Sequence, residues 1–497
     1  MTTGPSGSIS SGMVPASRVR VLVDRPENPD GDYVLYWMIA NRRTSDNFAL
    51  DHALAEARRL RKPLLVLEPL RIAYPYACAR FHAFVVQGMA EQRRAFAAAG
   101  VRYHPYVEPS PGAGKGLLAA LAARAALVVT DRNPQFFLPR MVDAALPQLP
   151  VRAVDVDAVG LLPLSVTTKA WPSAASFRRH FQRSFPARVD APDPDPLRRV
   201  EGPAAAIPEE VLARWPAADA LLDDPLTVRA LVGGPGPVDR RGGEPEARRR
   251  LARFVEARLA RYPDRNHPDE DAASGLSPWL HFGHLSAHTV FRAVTEGTGW
   301  SPERLGAATG SREGYWGLDA AREGFLDELV TWRELAHTFS ALVPDAESYA
   351  TLPEWARGTL DAHAKDPRPE RYDLAALEAG ATRDPLWNAA QAQLRREGVM
   401  QNYLRMLWAK KVLEWSASPA EAFAHLVTLN HRYALDGRDP NSTAGISWCF
   451  GRFDRPWFPE RPIFGTIRYM SSDSTRKKLR LKGWFARYGA EGLPLGR

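Results

Sequence analysis

The sequence predicts an α/β domain built on a doubly wound parallel sheet, followed by an all-α domain. Short apolar runs without alternation, such as YVLYWMIA at 33–40 and PLLVLEPL at 63–70, are separated by helical stretches. Runs of this kind are typical of parallel strands covered on both faces. From about residue 245 the strand rhythm ends, and amphipathic helical patterns such as GFLDELVTWRELAHTFSAL at 324–342 take its place.

The order of these patterns divides the chain into four parts. We predict a flexible Ser/Gly/Pro-rich head at 1–29, a Rossmann-like α/β domain at 30–165, a proline-rich connector with one or two short helices at 166–245, and a helical domain at 246–497. Ligands of such a sheet bind at the carboxyl ends of its strands. No G-x-G-x-x-G follows the first predicted strand, so the usual dinucleotide fingerprint is missing.

Composition excludes several classes of protein. Of 497 residues, 45% are hydrophobic and 25% are charged, which is globular composition rather than that of a disordered chain. The two cysteines, Cys78 and Cys449, lie too far apart in sequence for a metal or redox motif. We find no signal peptide and no apolar run long enough to span a membrane, so we expect a cytoplasmic location.

Positive charge is concentrated at the C-terminus. Residues 452–497 contain eleven Lys/Arg and four Asp/Glu, a net +7 from 11 − 4, within a chain of net charge +8. Aromatic residues are interleaved with these basic ones, which favours a polyanion-binding surface, where cations contact phosphates and rings stack on bases. A solvated basic tail is the alternative interpretation.

Fourteen tryptophans are a heavy load, and most lie in the helical half. Trp408 and Trp415 are seven residues apart and so share a helix face, while Trp387 opens the preceding helix after the Asp384–Pro385 start signal. Indoles at helical spacing usually form a core. Closely spaced indoles are also what an electron-hopping route requires, and spacing alone leaves both hypotheses open.

Two further segments could bind a ligand. SGLSPWLHFGHLS at 274–286 places Ser274 and Ser277 around a helix start, either as an anion site for a pyrophosphate or as an ordinary capped helix. LNHRYALDGRDPNSTAGISWCFGRFDRPW at 429–457 is rich in Asp, Asn and Gly, suited either to a planar heterocycle with ribose hydroxyls or to a surface turn. The nearby histidines lack a completing carboxylate or cysteine, so we predict no metal site.

Seven ordered blocks carry a resemblance to a known family. They span about residues 30–480 and read YVLYWMIANRR, SGLSPWLHFG, FLDELVTWRELA, TRDPLWNAAQ, YLRMLWAKKVLEW, YALDGRDPNSTAGISW and RPIFGTIRYM. Together they resemble a class II DNA photolyase, the enzyme of the photolyase/cryptochrome family that repairs cyclobutane pyrimidine dimers. The resemblance implies an antenna-type α/β domain and a helical FAD-binding domain.

The resemblance also implies light-driven repair, in which excited FADH⁻ gives an electron to a flipped-out dimer and regains it after the ring splits. The implied FAD-binding residues are Tyr262, Ser274, Leu276, Ser277, Arg333, Asn402, Arg405, Asp436, Asp439 and Asn441. Asn430 matches the asparagine beside flavin N5, and Trp387, Trp408 and Trp415 match the family's photoreduction tryptophans.

For the substrate, the resemblance implies that Glu328 hydrogen-bonds the dimer bases and that Trp332, Met406 and Trp448 form an apolar wall against them. Arg455 and Arg468 are candidate contacts to the DNA backbone. Extruding a dimer costs less than extruding a normal base pair, because it already stacks and pairs poorly. The implied partner is UV-damaged DNA, with no membrane and no obligate protein partner, and a monomer suffices.

The sequence departs from the family pattern at three places: Ser442–Thr443 stands where Gly–Tyr is common, Thr466 where Lys is common, and His267 where an RNDP-like motif has Asp. An antenna chromophore in the N-terminal domain is expected, with deazaflavin favoured over folate. The alternatives are a cryptochrome-like flavin photoreceptor without repair activity and a non-enzymatic DNA-binding protein. A receptor has no need of the four dimer-facing residues together, and a DNA-binding protein does not explain the FAD-like motifs.

Overall fold

A computed structural model describes residues 14–188 and 190–489, so most of the predicted head, residues 1–13, lies outside the described part. Within that part, one mixed sheet has the strand order β1-β6-β5-β2-β3-β4. Its strands are β1 (Val19–Val23), β2 (Tyr33–Trp37), β3 (Leu64–Leu70), β4 (Arg102–Val107), β5 (Ala125–Asp131) and β6 (Ala153–Val156).

The strands β2, β3 and β5 form the buried centre of the sheet and pair in parallel. Every residue of β2 and β5 is buried, which agrees with their unbroken apolar runs. The doubly wound α/β fold is therefore confirmed. The edge strand β1 was not predicted: it lies within the segment assigned to the head and pairs antiparallel with β6.

The helices of the described chain fall into two groups on either side of residue 244. The first group is α1 (Phe48–Leu60), α2 (Ala79–Ala98), α3 (Leu117–Ala122), α4 (Leu138–Ala145), α5 (Ala174–Ser184), α6 (Glu209–Arg214) and α7 (Asp219–Asp223). The second group is α8 (Glu244–Ala257), α9 (Ser277–His281), α10 (Ala287–Thr295), α11 (Ala320–Leu326), α12 (Arg333–Leu342), α13 (Glu354–Ala362), α14 (Leu374–Ala379), α15 (Pro385–Glu397), α16 (Asn402–Trp415), α17 (Pro419–Tyr433), α18 (Pro440–Cys449), α19 (Ser472–Lys478) and α20 (Lys482–Tyr488).

A π-helical segment, Asp327–Trp332, joins α11 to α12 without a break. Such segments widen a helix locally and often occur at functional sites. None of the helices in the two described ranges is both long and apolar enough to cross a bilayer.

The sheet domain and the helical half are packed directly against each other. Glu334 of α12 accepts hydrogen bonds from the backbone of Leu161, at 2.7 Å, and Leu162. Gly283 has φ +76° and lies against the backbone of Ala40, so a side chain there would have no room. These contacts fix the start of α12, and with it the π-helical segment, relative to the sheet.

Lys410 of α16 is a fully buried cation in the core of the helical half. Its ammonium group donates to the carbonyl of Cys449, the last residue of α18, where a positive charge is favourable for the helix dipole. Burial lowers the pKa of Lys410 from 10.5 to about 8. The charged form is therefore held in the folded chain at a free-energy cost.

We expect the substitution Lys410→Met to change how stability depends on pH. Between pH 8 and pH 10.5 the unfolded wild-type chain still holds the lysine proton while the folded chain has released it, so wild-type stability should rise with pH. Relative to Lys410→Met, the gain should approach about 3 kcal/mol. Urea unfolding across this range measures it, and parallel pH profiles for the two proteins would contradict the assignment.

Candidate active site

Three helical segments carry partly exposed polar and aromatic residues that the sequence analysis assigned to one site. The π-helical segment contributes Glu328 and Trp332, α16 contributes Asn402, Arg405 and Met406, and α18 contributes Asn441, Gly445 and Trp448. Spacings of three, four or seven residues place Glu328 with Trp332, Asn402 with Arg405 and with Met406, and Asn441 with Gly445 and Trp448 on the same side of their helices. We propose that these residues line one cleft, which we call the helical cleft.

Exposure identifies the side of α18 that faces solvent. Asn441 and Gly445 are exposed and Trp448 is half-buried, whereas most of the remaining residues of α18 are buried. A methyl group added at Gly445 would meet no atom within 4 Å. A glycine inside a helix is destabilising by roughly 0.5–1 kcal/mol relative to alanine, so an open glycine here suits the close approach of a ligand.

An ion pair between Arg405 and Asp436 connects α16 to the segment that follows α17. The Arg405 guanidinium lies 3.1 Å from the Asp436 carboxylate and 3.5 Å from the hydroxyl of Ser442. The side chain of Asn430 donates to that same hydroxyl at 3.0 Å and to the carbonyl of Gly437 at 2.7 Å. One polar network thus joins α16, α17 and α18.

Glu328 faces an arginine that the sequence analysis did not single out. The Arg265 guanidinium donates to the Glu328 carboxylate at 3.1 Å and lies over the ring of Tyr262 at 4.7 Å. Burial raises the pKa of Glu328, and the charge of Arg265 opposes that rise. Glu328 is thus an acid whose proton affinity a bound ligand could shift.

Trp448 packs against two hydrophobic clusters, one in the helical half around Trp387 and Trp408, and one that runs from α2 of the α/β domain to α11 and α12. Two cations flank its ring: the ammonium group of Lys410 at 5.7 Å and the guanidinium of Arg468 at 5.3 Å. Arg468 also lies 3.7 Å from the ring centre of Trp457 and pairs with Asp454. These contacts hold the indole in place.

The remaining predicted FAD-binding residues differ in exposure. Ser277 is exposed and Ser274 is half-exposed, while Leu276 and Arg333 are buried. Arg333 donates to the carbonyl of Val159 in the sheet domain at 2.9 Å. The chain before the loop that carries the two serines is connected to α16 through Gln401, which donates to the carbonyl of Arg265 at 2.8 Å.

Asp439 uses its carboxylate within the chain. One oxygen accepts from the backbone N–H of Asn441 at 2.9 Å and caps α18, and the other lies 3.3 Å from Nδ1 of His281. His337 approaches the same oxygen at 3.9 Å. The structure therefore gives Asp439 a positioning role at the start of α18.

The three tryptophans singled out in the sequence form a buried chain. Trp387 lies between the other two: its ring centre is 6.3 Å from that of Trp408, nearly parallel, and 5.5 Å from that of Trp415, edge to face. All three indoles are at most 2% exposed. The packing and electron-transfer interpretations are compatible here, because the rings form part of the core and each ring also lies next to another one in space.

The departures from the family pattern have defined contacts. Ser442 belongs to the Arg405 network, and the hydroxyl of Thr443 accepts from Gln135 of the sheet domain at 2.9 Å. The backbone N–H of Thr466 donates to the hydroxyl of Thr359 at 3.0 Å. His267 accepts from the backbone N–H of Arg480 at 3.1 Å. All four residues hold neighbouring elements together.

Sequence reasoning missed residues whose importance depends on tertiary contact. Arg265 stands 63 positions before Glu328, and no short motif connects them. Arg461 and Phe458 lie in the loop that follows α18, and both are exposed. A basic and aromatic composition was visible there, but not which side chains would face outward.

The fold is that of solved photolyases. An α/β domain joined to a helical domain is also the fold of a class III photolyase from Agrobacterium tumefaciens, with a TM-score of 0.64 at 20% identity, covering 92% of this chain and 86% of that one. An archaeal photolyase from Sulfolobus tokodaii, solved with two FAD molecules, has the same TM-score at 16% identity and covers 92% of this chain and 90% of its own.

Comparison of the sequence gives the family. The chain is 34% identical over 480 residues to the deoxyribodipyrimidine photo-lyase of Methanothermobacter thermautotrophicus, covering 94% of this chain and 97% of that protein. It is 32% identical to the enzyme of the same name from Potorous tridactylus, covering 89% of this chain and 79% of that protein. A search against profiles of protein families found no match. The chain belongs to the deoxyribodipyrimidine photo-lyase family.

Proposed function

We propose that this chain repairs cyclobutane pyrimidine dimers in UV-damaged DNA under light, as a class II photolyase. Family membership supports the activity, and one observation supports its location: the four residues expected at the dimer, Glu328, Trp332, Met406 and Trp448, are each partly exposed on helical segments of the same half of the chain. An acid together with indoles would suit flat, polar-edged bases that have left the helix.

FAD is the cofactor that the donor set of the cleft fits. Arg405 and the exposed amide groups of Asn402 and Asn441 suit the polar edge of a flavin, and Ser274 and Ser277 suit its phosphates. An added side-chain carbon at Gly445 would meet no atom within 4 Å, which leaves room for the cofactor at α18. When bound and reduced, FAD supplies light absorption and the electron that opens the cyclobutane ring and then returns.

The protein's own residues bind, orient and protect. Glu328 would donate or share a proton in a hydrogen bond to the dimer bases, since burial raises its pKa, and Arg265 would hold its carboxyl in place. Trp332 and Trp448 would replace the stacking that the dimer loses on extrusion, worth roughly 1–3 kcal/mol per base. The apolar walls exclude water from the reacting bases.

The proposal extends to a second chromophore and to the macromolecular partner. A deazaflavin in the α/β domain is our preferred second chromophore, at the carboxyl ends of the strands. Damaged DNA is the macromolecular partner, contacted at the basic loop that carries Arg455 and Arg468. The proposed reaction requires only one chain, so we propose a monomer. We propose the cytoplasm as its location.

The direct test is repair by the purified protein. UV-irradiated oligothymidylate, mixed with the photoreduced protein, should regain its thymine absorbance under blue light and not in darkness. Glu328→Gln should lower the quantum yield several-fold, because an amide cannot share a proton with the dimer. Bound flavin without recovery in the wild type would contradict repair and favour a photoreceptor. Full quantum yield in Glu328→Gln would contradict the role of the acid alone.

A separate prediction concerns the tryptophan chain. Trp387→Phe should slow photoreduction of oxidised flavin by an order of magnitude or more, because it removes the ring that touches both Trp408 and Trp415. Transient absorption after a laser pulse measures this. Trp316→Phe, a buried indole packed among other aromatic rings, is the matched control and should photoreduce normally. Equal rates in the two variants would contradict the route.

A further inference from the structure

A buried ion pair binds the acid that precedes Glu328 in the chain. Asp327 begins the π-helical segment and accepts two hydrogen bonds from the Arg178 guanidinium, from Nε at 2.6 Å and from Nη2 at 3.0 Å. The two side chains are only 7% and 8% exposed. A buried ion pair is often no more stabilising than apolar side chains of the same volume, so stability alone does not account for this one.

The arginine of this pair is itself held in place by its surroundings. Arg178 lies on α5, and its Nη1 donates to the carbonyl of Gly310 in the loop before α11, at 3.2 Å. One turn further along α5, Gln182 donates to the carbonyl of Ser311 at 2.9 Å and accepts from the backbone N–H of Gly310 at 2.7 Å. The guanidinium is therefore positioned by α5 and this loop together, and a bidentate contact transmits that position to Asp327.

The π-helical geometry gives this contact a consequence for Glu328. The backbone N–H of Arg333 donates to the carbonyl of Glu328, five residues back, so the segment holds one more residue per turn than an α-helix. Such turns are rare and need support from their surroundings. Asp327 is held by Arg178 at the start of the segment, and Glu334 is held by the sheet domain just beyond its end.

The two neighbouring acids point in different directions. Consecutive residues of a helix project roughly a quarter of a turn apart. Asp327 accordingly faces Arg178 on α5, whereas Glu328 faces Arg265 at 3.1 Å. Fixing the first carboxylate therefore also fixes the direction of the second, which is the one expected at the dimer.

Charges around Glu328 make this arrangement measurable. Arg265 and Tyr262 face Glu328 from the segment before α9, and Arg312 faces it from the loop before α11. Burial raises the pKa of Glu328, the charge of Arg265 lowers it, the charge of Asp327 raises it further, and the charge of Arg312 lowers it. Burial also raises the pKa of Tyr262, so its phenol stays neutral.

Resting on the proposed function, we infer that Asp327 and Arg178 are positioning residues for dimer repair, because their contact fixes the π-helical segment with the Glu328 carboxyl directed at the dimer bases. The pair touches neither the flavin nor the dimer and acts through Glu328. Loss of one member should therefore change the proton affinity of Glu328 in a direction set by the charge that is lost.

The first test titrates Glu328 in the holoenzyme without DNA or light. Asp327→Asn removes a negative charge and leaves the Arg178 cation, so Glu328 should release its proton at a pH lower by roughly one unit. Arg178→Met leaves the negative charge unbalanced, so release should move to higher pH. Infrared difference spectra between pH values show the carbonyl band of the protonated acid, which is assigned by its absence in Glu328→Gln.

The sign of the shifts separates this inference from a merely structural role. Loosened packing would move the titration in the same direction in both variants. Shifts of the same sign, or no shift in Asp327→Asn, would overturn the inference. Asp319→Asn is the matched control: Asp319 also pairs with an arginine, Arg322, and an asparagine still caps α11, so Glu328 should titrate as in the wild type.

A second variant tests geometry without changing charge. Arg178→Lys keeps the cation but cannot form the two parallel hydrogen bonds. It should leave the titration of Glu328 unchanged and lower the repair quantum yield about threefold or more, because the carboxyl is no longer held in position. A wild-type yield would overturn the positioning role. No repair of irradiated oligothymidylate by the wild type would instead contradict the proposed function.

Discussion

The Arg405–Asp436 ion pair is the interaction on which the helical cleft depends. Both groups are largely removed from water, with side chains 19% and 11% exposed, so their desolvation must be offset by geometry. The offset comes from position: Arg405 projects from α16, Asp436 follows α17, and Ser442 on α18 accepts a further contact from the same guanidinium. A single charge pair therefore sets where three helices meet.

Two consequences follow for the cleft. The helices α16 and α18 are held close enough for Trp448 to pack against both hydrophobic clusters. At the same time α16 and α18 keep polar groups such as Asn402 and Asn441 exposed to solvent. Helices that packed only through apolar side chains would not offer such groups to a ligand. A site for a flat, charged cofactor beside a stacking surface for bases requires this combination of rigid packing and available donors.

Local pattern predicted much of this from sequence. Unbroken apolar runs predicted the buried strands, and the spacing of Trp387, Trp408 and Trp415 predicted that they belong to adjacent helices. The strand β1 was missed because its burial pattern is that of a half-exposed edge, and only pairing with β6 makes it a strand. Periodicity reports burial within an element, whereas edge strands depend on a partner far along the chain.

Some residues of the candidate site were named from the sequence, and others were recognised only in the structure. Residues in quoted motifs, such as Arg405 and Asp436, were named from the family resemblance, and the structure places them in contact. Arg265 was missed because its partner lies on another helix, and Phe458 because exposure is a property of the folded loop. The roles of Ser442 and Thr443 became apparent only as hydrogen bonds to neighbours on other elements. Physical contact between distant segments is what one sequence does not contain.

The most direct test of this account is the affinity of the apoprotein for FAD when the ion pair is broken without changing its shape. Asp436→Asn should weaken FAD binding by about tenfold or more, since it leaves the Arg405 charge unpaired in the cleft wall. Asp454→Asn, which removes the carboxylate paired with Arg468 outside the cleft, should bind FAD as the wild type does. Equal affinities in all three proteins would contradict the claim that this pair organises the cofactor site.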